Sequence, residues 1–181
     1  AYILTQRGYK VLLVDNDKQG DCSRGMNRRT QDREGIDRIM VDRHPDMEKL
    51  INKTDYLHLD IITANLGLLT ANMEVTMDRV RPQQNRLRKA LQQVADNYDF
   101  CVIDNAPDIN VSVINALTAA DDVLIPLHST MFLLILCHRW RRREKWNIFT
   151  FHNVSINTCT AARMCAILTP LHSTMFLLIQ W

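Results

Sequence analysis

The chain has 181 residues, of which 46% are hydrophobic and 23% are charged, and its formal net charge at pH 7 is +2. This composition fits one soluble α/β domain with a sizeable core. Five basic residues and one acidic residue lie in residues 137–147, so the rest of the chain is slightly acidic. The main body is therefore not a basic nucleic-acid binder, and any such surface is confined to that segment.

The spacing of the cysteines and the length of the apolar runs indicate in which cellular compartment the protein is located. The five cysteines form no C-x-x-C pair and no repeated spacing with the histidines, so neither a zinc site nor a disulfide framework is indicated. The longest apolar run, residues 131–137, is far shorter than the roughly 20 residues of a membrane helix, and no signal-peptide pattern opens the chain. We therefore predict a soluble, cytoplasmic protein without a membrane partner.

The first third of the chain predicts two strands and several short helices. Residues 1–8 have the pattern of a helix end closed by a glycine, and the unbroken apolar run in residues 10–15 predicts a strand buried on both faces. Short helices are predicted in residues 33–40 and 45–51. The alternating pattern of residues 56–64 predicts a second strand, partly covered and nearer a sheet edge.

Two helices are predicted next. Residues 68–77 have helical spacing, and we expect Met73 and Met77 to pack in the core. The second helix is predicted over residues 83–98. Its apolar residues recur at helical intervals and form one buried stripe: Leu87, Leu91, Val94 and Ala95.

The pattern then returns to strands. An apolar strand over residues 100–103 ends in Asp104, a helix is predicted over residues 110–120, and "DDVLIPL" from Asp121 predicts another buried strand. Strands that alternate with helices imply right-handed crossovers. The predicted fold class is therefore α/β, a parallel sheet flanked by helices on both faces.

Acidic residues follow the strands at the end where such sheets bind ligands. Asp15 and Asp17 come directly after the first strand, and Asp104 ends the later one. Carboxylates gathered at one rim repel each other unless a cation joins them, and a magnesium-bound phosphate ligand is a common solution. Any single one of these acids is more simply a solvated loop residue or helix cap. The motifs taken together favour a site.

Three segments carry a specific resemblance. "KVLLVDNDKQGD" at residues 10–21, "LDIITANLGLLTANMEV" at 59–75 and "YDFCVIDNAPDINVSVINALTAADDVLIPL" at 98–127 resemble the ParA-type partition ATPases, the deviant Walker class that includes the MinD-like proteins. The resemblance implies a P-loop NTPase-like fold and an ATP-dependent dimerising switch that segregates plasmids or chromosomes. It also implies ATP and Mg²⁺ as cofactors, with a ParB-like protein, non-specific DNA and a second copy as partners.

The resemblance also implies roles for the three acids. Asp104 matches the Walker B aspartate, which holds Mg²⁺ largely through water. Asp17 matches the acid that orients the attacking water, and Asp15 matches the acid near the metal and the switch region. The sequence departs from the family's common residues at Lys18 and just before Pro107, and neither change removes an acid.

A larger departure concerns the phosphate-binding loop. The sequence contains no G-x-x-x-x-G-K-[ST], and its five glycines are widely spaced. The resemblance places that loop just upstream of Ala1, so we expect this chain to lack the Walker A segment and to be unable to bind or hydrolyse ATP. The family's first strand lies centrally in the sheet. Its absence predicts a marginal, aggregation-prone fold unless the tail fills the gap.

The tail contains a repeat. "PLHSTMFLLI" occurs at residues 126–135 and again at 170–179, and the similarity extends backwards as a partial duplication of residues 110–135. We therefore predict an incomplete NTPase domain over residues 1–136 and an aberrant or poorly ordered tail over 137–181. The basic, tryptophan-containing part of that tail could bind nucleic acid or an anionic membrane surface, although a solvated stretch is the simpler interpretation.

Three functions remain open from the sequence. The first is an inactive copy of a ParA-like ATPase. The second is a non-enzymatic interaction module that pairs with an intact partition ATPase. The third, a receiver-like phospho-acceptor domain, is disfavoured because Asp104 lies too far along the chain and no lysine follows the strand at residues 124–127.

Overall fold

The computed structural model describes residues 1–29, 34–128, 133–139, 148–149 and 175–180. The helices are α1 (Tyr2–Thr5), α2 (Asp21–Gly25), α3 (Ile36–Val41), α4 (Met47–Leu50), α5 (Gly67–Met77), α6 (Arg86–Gln92) and α7 (Val111–Ala119), with a 3₁₀ turn at Ala95–Asn97. The strands are β1 (Val11–Asn16), β2 (Ile51–Lys53), β3 (Leu59–Ile62), β4 (Phe100–Asn105), β5 (Asp122–His128), β6 (Leu133–Arg139), β7 (Ile148–Phe149) and β8 (Met175–Gln180).

The described strands form one mixed sheet in the order β2-β3-β1-β4-β8-β5-β6-β7. Strands β3, β1 and β4 are parallel, and β5 runs in the same direction because both β4 and β5 are antiparallel to β8. The α/β class is confirmed. The expectation of a uniformly parallel sheet is corrected, since β2, β6, β7 and β8 pair antiparallel with their neighbours.

Both faces of the sheet are covered. Leu12 and Val14 face the larger core cluster, to which α3, α4, α5, α6 and α7 contribute buried residues. Val11 and Leu13 point to the opposite face, where residues of α1 and α2 pack against a smaller cluster. The continuous apolar run of β1 is therefore explained by burial on both faces, as the sequence predicted.

Strand β3 differs from its prediction. All four of its residues, Leu59–Ile62, are buried, so the expected partial cover is wrong. The expectation of partial cover came from the alternating apolar and polar residues, which include residues 56–58. These residues precede the strand and are exposed. The short antiparallel strand β2 forms the sheet edge instead, next to β3.

The prediction for the methionines of α5 is also wrong. Met73 is 61% exposed and Met77 is 74% exposed. The buried residues of α5 are Leu68, Ala71 and Val75, which recur at intervals of three and four. The two methionines lie outside this stripe, where hydrophobicity alone does not predict burial.

The helix predicted over residues 83–98 is shorter in the structure, since α6 ends at Gln92 and a 3₁₀ turn follows. Its buried stripe is confirmed for Leu87, Leu91 and Val94, whereas Ala95 lies in the 3₁₀ turn and is only partly buried. The backbone N–H groups in the first turn of α6 find an acceptor on another helix. Asn115 Oδ1 on α7 accepts hydrogen bonds from the backbone N–H groups of Arg86 (2.9 Å) and Leu87 (3.4 Å). Tertiary packing therefore positions the start of this helix.

The centre of the sheet contains a strand from the end of the chain. β8 lies between β4 and β5, with six register partners on β4 and three on β5. Ile179 is buried in the main core, so β8 packs as a central strand of the sheet. The expectations for the basic segment and for most of residues 137–181 lie outside the described residues. No helix in the described ranges has the length and apolar character needed to cross a membrane.

Candidate functional site

The predicted acids Asp15 and Asp104 lie side by side. Parallel pairing of β1 with β4 makes Asp15 the register partner of Asp104 and Asn16 the partner of Asn105. Both carboxylates therefore leave the sheet at the same rim, at the carboxyl ends of the strands. Asp15 is fully buried and Asp104 is partly buried. We call these two acids, with Asn16 and Asn105, the acid rim.

Asp15 is held by the start of α2. Its Oδ2 accepts hydrogen bonds from the backbone N–H of Ser23 (2.7 Å) and from the Ser23 hydroxyl (2.6 Å). The same hydroxyl oxygen accepts from the backbone N–H of Ala64 (3.0 Å), just beyond β3. Burial raises the pKa of Asp15, while the Ser23 hydrogen bonds act in the opposite direction. Ser23 on α2 therefore connects the end of β1 with the residues that follow β3.

Asp104 is the more strongly perturbed acid. Burial, followed by repulsion from Asp15, raises the pKa of Asp104 to about 6, and a hydrogen bond from the Cys22 thiol partly opposes the rise. Burial and the nearby carboxylates raise the pKa of Cys22 to about 12, so the thiol keeps its proton as a donor. The other oxygen, Asp104 Oδ1, is buried and has no hydrogen-bond partner within the described part of the chain.

A second acceptor oxygen lies at the same rim. The side-chain amide of Asn16 donates to Asn105 Oδ1 at 2.7 Å. Asn16 Oδ1 is buried and, among the residues placed by the structure, finds no donor. Buried acceptors without donors are costly, and a hydrated cation could satisfy Asp104 Oδ1. Successive residues of a strand point to opposite faces, so Asn16 Oδ1 lies on the face opposite Asp104 Oδ1. The acid rim therefore offers Asp104 Oδ1, beside Asp15, to a positively charged or water-bearing ligand.

Asp17 lies in the loop after β1 and is less constrained. Its Oδ1 accepts from the backbone N–H of Gln19 at 2.9 Å, and its charge contributes to the raised pKa of Asp104. Within the described ranges, no three His, Cys, Asp or Glu side chains are arranged to hold a metal ion directly. A magnesium ion that keeps its waters needs few direct protein ligands, and the unpartnered Asp104 Oδ1 is an oxygen of the kind that such waters bind.

Known proteins share this chain's sequence and fold. Residues 1–135 match the model of a family described as an AAA domain. Soj, a sporulation initiation inhibitor protein of Bacillus subtilis, is 38% identical over 135 residues, which make up 74% of this chain and 51% of Soj. The chromosome partitioning protein ParA of Caulobacter vibrioides is 36% identical over 130 residues, 70% of this chain and 48% of that protein.

The chain belongs to the ParA-type partition ATPase family. It spans about half the length of these ParA-type relatives. A solved structure of cobyrinic acid a,c-diamide synthase from Mycobacterium smegmatis, with ATP analog and magnesium bound, is 27% identical with a TM-score of 0.58. That likeness covers 65% of this chain and 47% of the synthase chain.

Two residues that contact the acids of the acid rim were not predicted from the sequence. Cys22 and Ser23 contact Asp104 and Asp15 respectively, yet neither belongs to a recognisable short motif. A polar residue at the start of a helix is ordinarily explained by local capping. Only the return of α2 over the end of β1 brings Ser23 back to Asp15, eight residues earlier.

Replacing Asp104 with asparagine is expected to raise the free energy of unfolding at pH 7 in chelator-treated buffer. The pKa of Asp104 is about 6 in the folded protein, against an ordinary value of 3.8, so the folded state keeps a proton that the unfolded chain releases. Its contribution to stability therefore falls as the pH rises from about 4 to 6. We expect a gain of about 1–2 kcal/mol at pH 7, because residual exposure screens part of the repulsion.

Denaturant unfolding of the wild type and of Asp104→Asn between pH 4 and pH 8 measures this effect. The difference between the two proteins should be small near pH 4 and constant above pH 7. Asp96→Asn is the matched control, because Asp96 is exposed. A difference that does not change with pH would contradict the assigned cause.

Proposed function

We propose that this chain is a ParA-like partition protein that keeps the magnesium- and water-handling side of the ATPase site but does not bind or hydrolyse ATP by itself. The observation that carries the proposal is the pairing of Asp15 with Asp104 across β1 and β4, together with the unpartnered buried oxygen of Asp104. Structural acids of a stable sheet are normally satisfied by protein donors. An acceptor left free beside a second carboxylate indicates a ligand that carries positive charge.

The roles of the acids follow from their positions. Asp104 would hold Mg²⁺ through a bound water at Oδ1, and Asp15, fixed by Ser23, supplies the neighbouring negative charge. Asp17 is free enough in its loop to accept a hydrogen bond from a water molecule in front of the rim. When bound, Mg²⁺ neutralises charge on phosphate oxygens. The ATP analog and magnesium in the related synthase structure support this assignment.

The phosphate-binding side of the site is not matched in this sequence. Neither a glycine-rich loop nor a Walker lysine is present in the 181 residues. Lys18, close to the acid rim in sequence, forms an ion pair with Asp108 at 3.1 Å. Without backbone N–H groups and a lysine to hold the β- and γ-phosphates, the acid rim by itself repels the nucleotide. This is the physical reason for proposing that the chain is inactive alone.

A second candidate is a non-enzymatic module that pairs with an intact partition ATPase. The observation that favours it is β8, which completes the centre of the sheet from the chain's own tail. With β8 between β4 and β5, the described sheet is continuous without any bound nucleotide. We also propose the further properties that the family implies. These are a dimeric state, a ParB-like partner, binding to non-specific DNA and a cytoplasmic location.

Calorimetric titration and thermal unfolding test the proposed function. We expect no heat of binding with MgATP, whereas millimolar Mg²⁺ alone should raise the Tm of the wild type and leave the Tm of Asp104→Asn unchanged. Asp96→Asn should respond to Mg²⁺ as the wild type does. Micromolar MgATP binding would overturn the proposed inactivity, and an equal Mg²⁺ response in Asp104→Asn would overturn the proposed metal site. Co-purification with an intact partition ATPase would favour the second candidate.

A further inference from the structure

The connection that leads into β8 is much longer than its path requires. β7 is the outermost strand, and the chain must pass β6 and β5 to place β8 beside β4. Three strand spacings amount to about 14 Å, whereas residues 150–174 could span about 80 Å if fully extended. The length of the connection therefore does not restrict β8 to the sheet of its own chain.

β8 contacts the body of the protein through β4 and β5. It pairs with β4 from Phe100↔Gln180 to Asn105↔Met175, and the backbone N–H of Asp121 donates to Leu178 O at 3.0 Å. Ile179 is 6% exposed and belongs to the main core. An identical strand from another copy would make the same hydrogen bonds and bury the same side chain.

We propose that the slot between β4 and β5 is a strand-acceptor site, which β8 of a second copy of this chain enters to form a reciprocally exchanged dimer. If the slot were empty, β4 and β5 would each present an unpaired edge in the middle of the sheet, so some strand must occupy it. The local contacts are the same whichever copy supplies the strand. The balance therefore depends on the protein concentration relative to the effective concentration of the chain's own strand.

Exchange would also change the acid rim. Phe176 is the register partner of Asp104, and Met175 is the partner of Asn105. In the exchanged dimer the strand end that borders Asp104 comes from the second copy. Each acid rim is then bordered by a strand end from the other chain. This arrangement goes beyond the proposed function because it requires neither nucleotide nor metal.

A disulfide that can form only between two copies tests the proposal. Ile179 is the register partner of the native Cys101 in antiparallel β4 and β8, and such partners have Cα atoms about 4.5–5.5 Å apart, which suits a disulfide. One tagged copy carries Ile179→Cys together with Cys101→Ser. The other copy, with a different tag, is unchanged. After the two are mixed, refolded together at about 100 μM and mildly oxidised, we expect a covalent heterodimer whose yield rises with concentration.

Two controls make the outcome decisive. The heterodimer should disappear when the second copy carries Cys101→Ser, which excludes disulfides through the other cysteines. The single variant Ile179→Cys reports whether the strand occupies its own sheet. The proposal would be overturned if Ile179→Cys formed an internal disulfide while the mixture of the two tagged copies gave no heterodimer. It would also be overturned if neither disulfide formed. If Ile179→Cys does not fold, Val102→Cys and Leu178→Cys form a second register pair for the same experiment.

Discussion

Gly35→Ala is expected to lower the free energy of unfolding by about 3 kcal/mol, because there is no space for a methyl group at this position. A Cβ at Gly35 would overlap the backbone carbonyl of Thr63 and would lie 3.1 Å from the Thr63 hydroxyl. The same carbonyl accepts a hydrogen bond from the backbone N–H of Ile36 at 2.9 Å. The added methyl must therefore push the start of α3 away from the end of β3 and weaken this bond.

Denaturant unfolding monitored by circular dichroism measures the change. Gly25→Ala is the matched control, because Gly25 lies at the end of α2 and a Cβ there meets no atom within 4 Å. That control should change stability by less than about 1 kcal/mol. Equal stabilities of the two variants would show that α3 does not pack against β3 as described. Because Ala64 follows Thr63 and contacts Ser23, Gly35→Ala should also disturb the acid rim.

Arg86→Met is expected to lower the free energy of unfolding by about 2–4 kcal/mol. The Arg86 guanidinium is buried at the start of α6, donates to the carbonyl of Met40 at 2.8 Å and pairs with Asp78 at 2.7 Å. Methionine fills a similar volume but donates no hydrogen bond. In Arg86→Met the buried carbonyl of Met40 no longer receives the hydrogen bond from the guanidinium, so this hydrogen bond between α3 and α6 is lost.

Two arginines nearby serve as comparisons for Arg86→Met. Arg81 donates to Asp78 and to the carbonyl of Val41 in the same way, but its side chain is 30% exposed, so Arg81→Met should cost less. Arg88 lies on the exposed face of α6, and Arg88→Met should change stability by no more than about 0.5 kcal/mol. Similar losses for Arg86→Met and Arg88→Met would show that the buried hydrogen bonds do not stabilise this contact.

Patterns confined to a few neighbouring residues predicted most of the secondary structure. The apolar run of β1 is buried on both faces as expected, the predicted strand β4 is present with alternate residues buried, and Leu87, Leu91 and Val94 of the predicted stripe are buried. Asn110, the predicted start of α7, caps that helix through a hydrogen bond from the backbone N–H of Val113 at 3.1 Å. Such patterns depend on the local geometry of the helix or strand, so they can be recognised in the sequence without knowing which elements pack nearby.

Predictions failed where burial depends on what packs against a segment. Met73 and Met77 are apolar at helical spacing, but none of the described residues covers these two side chains, which are exposed. Leu57, which is 79% exposed, suggested alternation in β3 although the strand begins only at Leu59. Hydrophobicity predicts a tendency to be buried, and the surface available for packing is set by tertiary structure.

The sequence by itself determined the α/β class, the ParA-type resemblance and the presence of acids at the ends of β1 and β4, because each of these depends on residues that are close together in the chain. Only the tertiary structure decided that Asp15 and Asp104 are register partners, that Ser23 and Cys22 orient them, and that β8 fills the centre of the sheet. These features join residues up to 89 positions apart, as Asp15 and Asp104 are. Their pairing depends on which strands lie side by side, and short-range patterns carry no information about that order.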